Sequence, residues 1–161
     1  LAIRIAVQAV GRMKAGPERE LAERYFERLA KAGPSVGLDF SGVKESPESR
    51  ARSAPERKRE EAGKLAEMLG SGTLVLIDER GKNLPSREIA HQLGALRDAG
   101  TGHIVLAIGG PDGHDAELTR KASLILSFGA QTWPHQLVRV MVAEQLYRAV
   151  TILSGHPYHR D

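Results

Sequence analysis

The sequence predicts an α/β fold with a mainly parallel sheet flanked by helices, and two observations carry this prediction. Short apolar runs of strand length alternate along the chain with segments whose apolar residues recur at helical spacing. The runs 74–77 and 103–108 are also almost continuously apolar, which is typical of strands covered by helices on both faces of a parallel sheet. The chain has 161 residues and no interior linker, so we expect one domain over residues 1–161.

Strands and helices alternate in the first half of the chain. Apolar and polar residues alternate from residue 3 to residue 7, which indicates a strand that Gly11 ends. Ser53-Ala54-Pro55-Glu56 is a capping-box pattern and predicts the start of a helix. The elements expected before residue 70 are, in order, a strand over 3–7, a helix over 17–32, a strand over 36–43 and a helix over 54–69.

The second half continues the same alternation with longer apolar runs. Pro85 and Pro134 each precede a segment with helical periodicity, as proline favours helix starts. Charged residues 78–82 follow the first apolar run, at the end of its strand. The elements expected here are a strand over 74–77, a helix over 85–96, a strand over 103–108, a short helix over 114–122, a strand over 124–126 and a long helix over 135–153.

Composition excludes several classes of protein. The chain has no cysteine, which rules out disulfides, thiolate catalysis and cysteine-ligated metals. His91, His103 and His114 do not have metal-ligand spacing, so we expect no metal. Residues 1–10 are too short for a signal peptide or membrane span, and charges interrupt 137–153, so a cytoplasmic protein without membrane contact is expected. The net charge of +3 is compatible with a nucleic-acid partner.

Three loops follow the carboxyl ends of three predicted strands, where open α/β sheets bind their ligands. They are the segment after Ile77, the loop 109–113 and the loop 127–134. Gly109 and Gly110 would let a ligand approach the backbone, although the loop taken alone favours an ordinary strand-to-helix turn. Neither the G-x-G-x-x-G fingerprint nor a G-K-[ST] phosphate loop is present.

The loop 128–133 combines small residues with Trp133, the single tryptophan of the chain. Such a loop could line a pocket for a flat, largely uncharged ligand such as adenine, whose ring edge backbone groups would bind. The alternative is that Trp133 packs at the base of the following helix. The basic residues of 50–59 alternate with glutamates, which favours a solvated helix face.

The predicted helix 135–153 is apolar nearly all round, which indicates burial in the centre of the fold or against a partner. In a one-sheet domain a homodimer interface is the favoured explanation. Glu144 and Arg148 have the spacing of a helical ion pair. Arg139 has no local partner and is a candidate for binding a phosphate or carboxylate, with a snorkelling rim residue as the alternative.

The chain ends in His156-Pro157-Tyr158-His159-Arg160-Asp161. These side chains suit proton transfer, stacking on a base and pairing with a phosphate. They directly follow the long apolar helix, which could hold them in place. The alternative is a tail that caps the fold.

Four motifs in order carry a resemblance to a known family: the loop 109–113 (GGPDG), 133–140 (WPHQLVRV), 144–149 (EQLYRA) and 156–160 (HPYHR). The chain resembles the bacterial ribosomal RNA large subunit methyltransferase H family of the SPOUT superfamily. The resemblance covers essentially the whole chain and is strongest from Leu74 onward. It implies a C-terminal deep trefoil knot, a homodimer with the active site at the subunit interface, and S-adenosylmethionine as methyl donor.

The resemblance also implies the substrate, N3 of a pseudouridine in the helix 69 region of 23S ribosomal RNA in the assembled ribosome. It places the donor at nine positions of this chain: Ile77, Gly109, Gly110, Phe128, Gly129, Ala130, Gln131, Thr132 and Trp133. The family often has a Ser-Leu-Ser-type stretch where this chain has 127–131 (SFGAQ). Backbone groups that bind the donor would make this departure unimportant.

The chemistry of N-methylation assigns expected roles to the remaining candidates. The acceptor nitrogen must lose its proton, so a general base is needed, and His159 and His135 are the candidates. His159 is preferred because the tail can fold over the acceptor base after binding. Tyr158 could stack on the base, and Arg160 and Arg139 could hold phosphates or the ring anion. The alternatives are a non-catalytic RNA-binding or ribosome-associated module and a knotted transfer-RNA methyltransferase.

Overall fold

The computed structural model describes residues 2–100 and 102–161. Helices and strands alternate through this part of the chain, as the sequence predicts. In order they are β1 (Ile3–Val10), α1 (Pro17–Ala32), a short 3₁₀ helix (Gly33–Val36), β2 (Leu38–Ser46), α2 (Ala54–Leu69), β3 (Thr73–Lys82), α3 (Ser86–Asp98), β4 (Ile104–Ile108), α4 (Ala116–Lys121), β5 (Leu124–Leu126) and α5 (His135–Ser154).

The five strands among the described residues form one sheet in the order β2-β1-β4-β3-β5, and all neighbouring pairs are parallel. The predicted parallel sheet is therefore confirmed. Parallel strands end at the same edge of a sheet, so the loops after β3, β4 and β5 leave from neighbouring positions. This edge is where the predicted ligand loops meet.

Apolar side chains fill both faces of the sheet. On one face α1, α3 and α5 pack against β1 and β4 through residues such as Leu29, Leu93 and Leu146. On the other face α2 and α4 cover β3 and β4 through Leu65 and Leu118. Because both faces are covered, the central strands bury nearly every side chain, which explains their continuous apolar runs.

β3 is longer than the sequence predicts. Residues 78–81 bulge out between Ile77 and Lys82, which both pair with Leu126, and the Lys82 carbonyl accepts a 2.9 Å hydrogen bond from the Ser127 amide. The prediction ended this strand too early because side-chain periodicity reports burial, whereas Lys82 returns to the sheet through backbone pairing. The bounds of β1 and β2 differ from the prediction by up to three residues at one end.

The end of β3 and β5 lie in close backbone contact. A Cβ atom on Gly81 would lie 2.6 Å from the Ile125 carbonyl oxygen, closer than side-chain carbons approach. Only glycine fits at such a crossing. The trefoil knot implied by the resemblance stays a prediction. Among the described residues no helix combines the length and hydrophobicity needed to cross a bilayer.

Candidate functional site

A cavity of about 550 Å³ opens at the carboxyl edge of the sheet, and all three predicted loops contribute to its walls. This volume lies in the range of roughly 300–1,000 Å³ that small-molecule sites occupy. Eight of the nine positions expected to bind the donor line it: Ile77, Gly109, Gly110, Phe128, Gly129, Gln131, Thr132 and Trp133. Ala130 is exposed and does not line the cavity.

The inner wall of the cavity is apolar and is supported by a buried histidine. Ile77, Ile108 and Phe128 supply hydrocarbon surface. The His114 ring lies beneath them at 7% exposure, with Nε2 3.1 Å from the Ile77 carbonyl oxygen. Burial lowers the pKa of His114, so the neutral ring donates this hydrogen bond. His114 thus holds the end of β3 against the glycine loop, a role that the scattered histidines of the sequence did not suggest.

The glycine loop 109–113 is anchored to the first turns of α2. The Arg57 guanidinium donates to both carboxylate oxygens of Asp112, at 2.7 and 3.1 Å. These hydrogen bonds lower the pKa of Asp112. A Cβ atom on Gly110 would lie 3.0 Å from Glu61 Oε1, which shows how closely the loop lies on the helix. The expectation of a mostly solvated face over 50–59 does not hold at Arg57, which pairs with Asp112, or at Lys58, which lines the cavity.

The β3 extension contributes charged groups to the rim. Asp78 Oδ1 accepts from the Arg80 amide at 2.9 Å, and the Arg80 guanidinium bonds both carboxylate oxygens. Burial tends to raise the pKa of Asp78, but the Arg80 hydrogen bonds and charge lower it overall. The carboxylate is therefore ionised and paired. Glu79, between them in sequence, is exposed and faces the same cavity.

The loop between β5 and α5 closes the cavity on its third side. The Ser127 hydroxyl bonds the Gly129 backbone, and the Trp133 indole donates to the Phe128 carbonyl at 3.3 Å. Trp133 is 40% exposed, so it covers the cavity rather than packing in the base of α5. His135, the first residue of α5, also lines the cavity. This candidate base therefore lies on the donor side of the site.

Arg139 does not reach the cavity or solvent, contrary to the expectation that it holds a phosphate. Its side chain is 7% exposed and forms an ion pair with Glu45. A second nitrogen donates to the Gly11 carbonyl at 2.7 Å. The partners come from β2 and the turn after β1, which lie about 90 and 130 residues away along the chain. Sequence reasoning missed this ion pair because helical spacing reveals only local partners.

The C-terminal segment folds back on the last turns of α5. The Tyr158 ring packs edge-on against Tyr147 at 4.9 Å between centroids and lies 4.7 Å from the Arg148 guanidinium carbon. Arg148 also pairs with Glu144 at 2.7 Å, as the sequence spacing predicts. Burial, the hydrogen bond with Tyr25 and the Glu144 charge raise the pKa of Tyr158 to about 12, so its phenol is neutral at pH 7.

The hydrogen bonds of His159 determine its tautomer. Arg148 Nη1 lies 3.1 Å from His159 Nδ1, and a guanidinium can only donate. Nδ1 therefore accepts, and the ring hydrogen of the neutral form lies on Nε2, which donates to Asp161 Oδ1 at 3.0 Å. Asp161 is held in turn by Arg87 of α3 at 2.6 Å. The lone pair that a general base would use is thus occupied in this arrangement.

The structure does not bring the two groups of predicted site residues together within one chain. His135 begins α5 at the cavity, whereas residues 156–161 follow its other end. A helix of 20 residues is about 30 Å long. Tyr158 and His159 contact Arg148, which still lies about 20 Å along the helix from His135. Arg160 is exposed and makes no hydrogen bond or ion pair with any residue that the structure describes.

Comparisons with known proteins agree with the geometry. A family model described as "Predicted SPOUT methyltransferase" matches residues 3–159. The chain is 66% identical to "Ribosomal RNA large subunit methyltransferase H" of Chelativorans sp. (strain BNC1), over 99% of this chain and 92% of that protein. It is 64% identical to the protein of the same name from Mesorhizobium japonicum, over 98% of this chain and 99% of that one.

Two solved structures share the fold at low sequence identity. A probable methyltransferase from Bordetella pertussis Tohama I superimposes with a TM-score of 0.52 at 16% identity, covering 92% of this chain and 96% of that chain. A probable methylase family protein from Haemophilus influenzae Rd KW20 gives a TM-score of 0.50 at 18% identity, covering 99% of this chain and 70% of that chain. At this identity the likeness bears on the fold alone.

Proposed function

We infer the activity from one premise: the chain belongs to the SPOUT methyltransferase family, whose model spans residues 3–159. We propose that it transfers a methyl group from S-adenosylmethionine to ribosomal RNA of the large subunit. The observation that carries this proposal is identity of 66% and 64%, over nearly the whole chain, to two proteins named for that activity. Its substrate places it in the cytoplasm.

The cavity at the sheet edge fits the proposed donor. It has the volume of a small-molecule site, an apolar wall for an adenosine, and glycines at 109 and 110 that leave backbone groups accessible. Ile77, the glycine loop and residues 128–133 would hold the donor, which supplies an electrophilic methyl group on a positively charged sulfur. A dry, apolar wall favours loss of that charge during transfer, and positioning is the main contribution of the chain.

The acceptor that we propose is N3 of a pseudouridine in the helix 69 region of 23S ribosomal RNA, in the assembled ribosome. The proton on N3 has to leave, so a base is needed beside the donor. His135 is the better placed of the two candidates, since it lines the cavity, whereas Arg148 occupies the His159 lone pair. In this proposal Tyr158 and His159 shape the tail and Arg160 binds an RNA phosphate.

A homodimer would complete the site, because cavity and tail lie at opposite ends of α5 within one chain. Leu21 on α1, Trp133 in the loop before α5 and Leu137 on α5 are large apolar side chains with about 40% exposure, which a partner subunit would cover. We propose that the tail of one protomer reaches the cavity of its partner. Such an arrangement gives each site a donor side and an RNA side from different chains.

Deletion of residues 156–161 tests the proposed function. The truncated protein should bind S-adenosylmethionine with unchanged affinity in calorimetry, because the cavity is formed by other segments. It should lose methylation of ribosomes isolated from a strain lacking the enzyme. Retained turnover would contradict a role of the tail in the reaction.

Mass mapping of the nucleosides that the full-length protein modifies identifies the substrate. Methylation of large-subunit ribosomal RNA is the expected result. Modification confined to transfer RNA would show that the substrate is transfer RNA and not ribosomal RNA. A folded protein that binds ribosomes but not S-adenosylmethionine would instead be a non-catalytic ribosome-associated module.

A further inference from the structure

The charged side chains around the cavity divide into paired and unpaired groups. Five lysine, arginine, aspartate or glutamate side chains line it: Lys58, Asp78, Glu79, Arg80 and Asp112. Asp78 and Arg80 neutralise each other through hydrogen bonds to both carboxylate oxygens. These two groups therefore contribute no net charge to a ligand in the cavity.

Asp112 is neutralised in the same way by a residue outside the cavity lining. Both of its oxygens accept from Arg57, and a third nitrogen of Arg57 donates to the Ala51 carbonyl at 3.1 Å. The Arg57 fork is thus fully directed at the protein and is unavailable to a ligand. The Lys58 charge also helps to lower the pKa of Asp112, after the larger effect of the Arg57 hydrogen bonds, but Lys58 makes no hydrogen bond to this carboxylate among the described residues.

Two opposite charges remain. Within the described residues the side chains of Lys58 and Glu79 make no hydrogen bond and no ion pair, although both line the cavity. Lys58 is half-buried on α2, and Glu79 is exposed on the β3 extension, so the two charges come from different walls. An ammonium on a flexible four-carbon stem suits a carboxylate ligand, and a free carboxylate suits an ammonium.

We propose that Lys58 and Glu79 bind the amino-acid end of the methyl donor, Lys58 its α-carboxylate and Glu79 its α-ammonium. This assignment rests on the proposed function. It adds the residues by which the protein would distinguish the methyl donor from adenosine derivatives that lack an amino-acid end. The apolar wall would take the nucleoside, and the two charged walls would take the zwitterion. Once the donor is bound, every charged side chain that lines the cavity has a partner of opposite charge.

Four probes that differ in these charges test the assignment in calorimetry. S-adenosylmethionine and S-adenosylhomocysteine carry both groups, decarboxylated S-adenosylmethionine lacks the carboxylate, and 5′-methylthioadenosine lacks both. Lys58→Met should weaken the first two by about tenfold, the value of one hydrogen bond to a charged group, and leave the other two unchanged. Glu79→Gln should weaken all probes except 5′-methylthioadenosine.

Arg59→Met and Glu67→Gln are matched controls, since both are exposed charges on α2 that do not line the cavity. They should leave all four affinities unchanged. Equal weakening of every probe by Lys58→Met, or no weakening of any, would overturn the assignment while leaving the proposed function intact. A wild-type protein that binds none of the probes would instead contradict the proposed function itself.

Discussion

Several charged residues in this protein pair with partners that are distant in sequence. Arg139 is the clearest example, since it lies on an otherwise apolar helix and is buried against Glu45 and the Gly11 carbonyl. The guanidinium joins α5 to the ends of β1 and β2. Burial tends to raise the pKa of Glu45, but the Arg139 hydrogen bond, the Met13 amide and the Arg139 charge lower it overall. The carboxylate is therefore ionised at neutral pH.

Replacing Arg139 should destabilise the fold. Arg139→Met leaves the Gly11 carbonyl and Glu45 without their donor, but Glu45 is 37% exposed and water can solvate it. We expect Arg139→Met to lower the free energy of unfolding by about 2 kcal/mol, which is less than the loss for a fully buried ion pair. Urea unfolding measures this free energy. The control variant Arg19→Met removes the exposed ion pair with Glu23 and should lower the free energy of unfolding by less than about 0.5 kcal/mol. Equal losses in Arg139→Met and Arg19→Met would contradict this account.

The contact of the tail with α3 should depend on pH only under strongly acidic conditions. The hydrogen bonds from Arg87 and His159 lower the pKa of Asp161 to about 2. A lowered pKa means that the ionised carboxylate is favoured in the folded chain. The contact is then at full strength above the ordinary pKa of 3.8 and is lost as pH falls through about 2.

Carbon NMR of the Asp161 carboxyl group measures this titration. Arg87→Gln removes the larger cause and should move the Asp161 pKa upward toward 3.8. Arg19→Gln serves as the control, because it removes a distant charge of the same kind. An unchanged Asp161 titration in Arg87→Gln would show that the tail is not held by α3 in solution.

Two contacts between elements shape the cavity. The N-terminal turns of α2 hold the glycine loop through Arg57 and Asp112, so a helix from the first half of the chain positions a loop from the second half. The β3 extension is in turn held by β5, where the Ser127 amide bonds the Lys82 carbonyl. Neither contact can be recognised from a pattern along the sequence, because the groups that it joins are far apart in the chain.

The β3–β5 contact predicts a strong effect of one methyl group. In Gly81→Ala the new Cβ would lie 2.6 Å from the Ile125 carbonyl oxygen, and two backbone segments would have to separate. We expect a loss of at least about 2 kcal/mol of unfolding free energy. Gly63→Ala, in an exposed helical position with nothing within 4 Å, should instead stabilise by about 0.5–1 kcal/mol. Thermal or urea unfolding of both variants distinguishes these outcomes, and a neutral Gly81→Ala would contradict the close crossing.

At the scale of the whole molecule, about 20 Å of α5 separates His135 from Arg148, which the tail contacts. His135 lies at the cavity end and Tyr158, His159 and Arg160 at the other. A tail held in place by Arg87 and Arg148 cannot reach the cavity of its own chain without leaving those contacts. The proposed homodimer avoids this movement.

Subunit complementation tests the shared site. A protein lacking 156–161 and a Thr132→Trp variant, which adds a large side chain at an exposed position lining the cavity, should each be inactive as homodimers. Co-expression should restore about a quarter of wild-type activity, since half of random dimers are hybrids and each hybrid retains one complete site. Circular dichroism and gel filtration check that both variants fold and associate. Purified hybrids without activity would exclude the exchange of tails between protomers.

The local order of the elements followed from residue patterns. Apolar periodicity and the Ser53 cap predicted the strands and helices, because burial and capping act over a few neighbouring residues; the Ser53 hydroxyl accepts from the Glu56 amide at 3.3 Å. The end of β3 was missed because Lys82 returns to the sheet through backbone pairing with Leu126, which no side-chain pattern reveals. The three loops of the cavity were predictable since parallel strands end together.

What the sequence alone determined is the α/β class, the parallel sheet and the edge at which the cavity opens, because each depends on spacing along the chain. The tertiary structure decided which charges are free. Arg139 and Arg57 are bound to Glu45 and Asp112, whereas Lys58 remains unpaired at the cavity. Folding brings together residues that are tens of positions apart, and the electrostatic partner of a side chain is set by that distance in space and not by its distance along the chain.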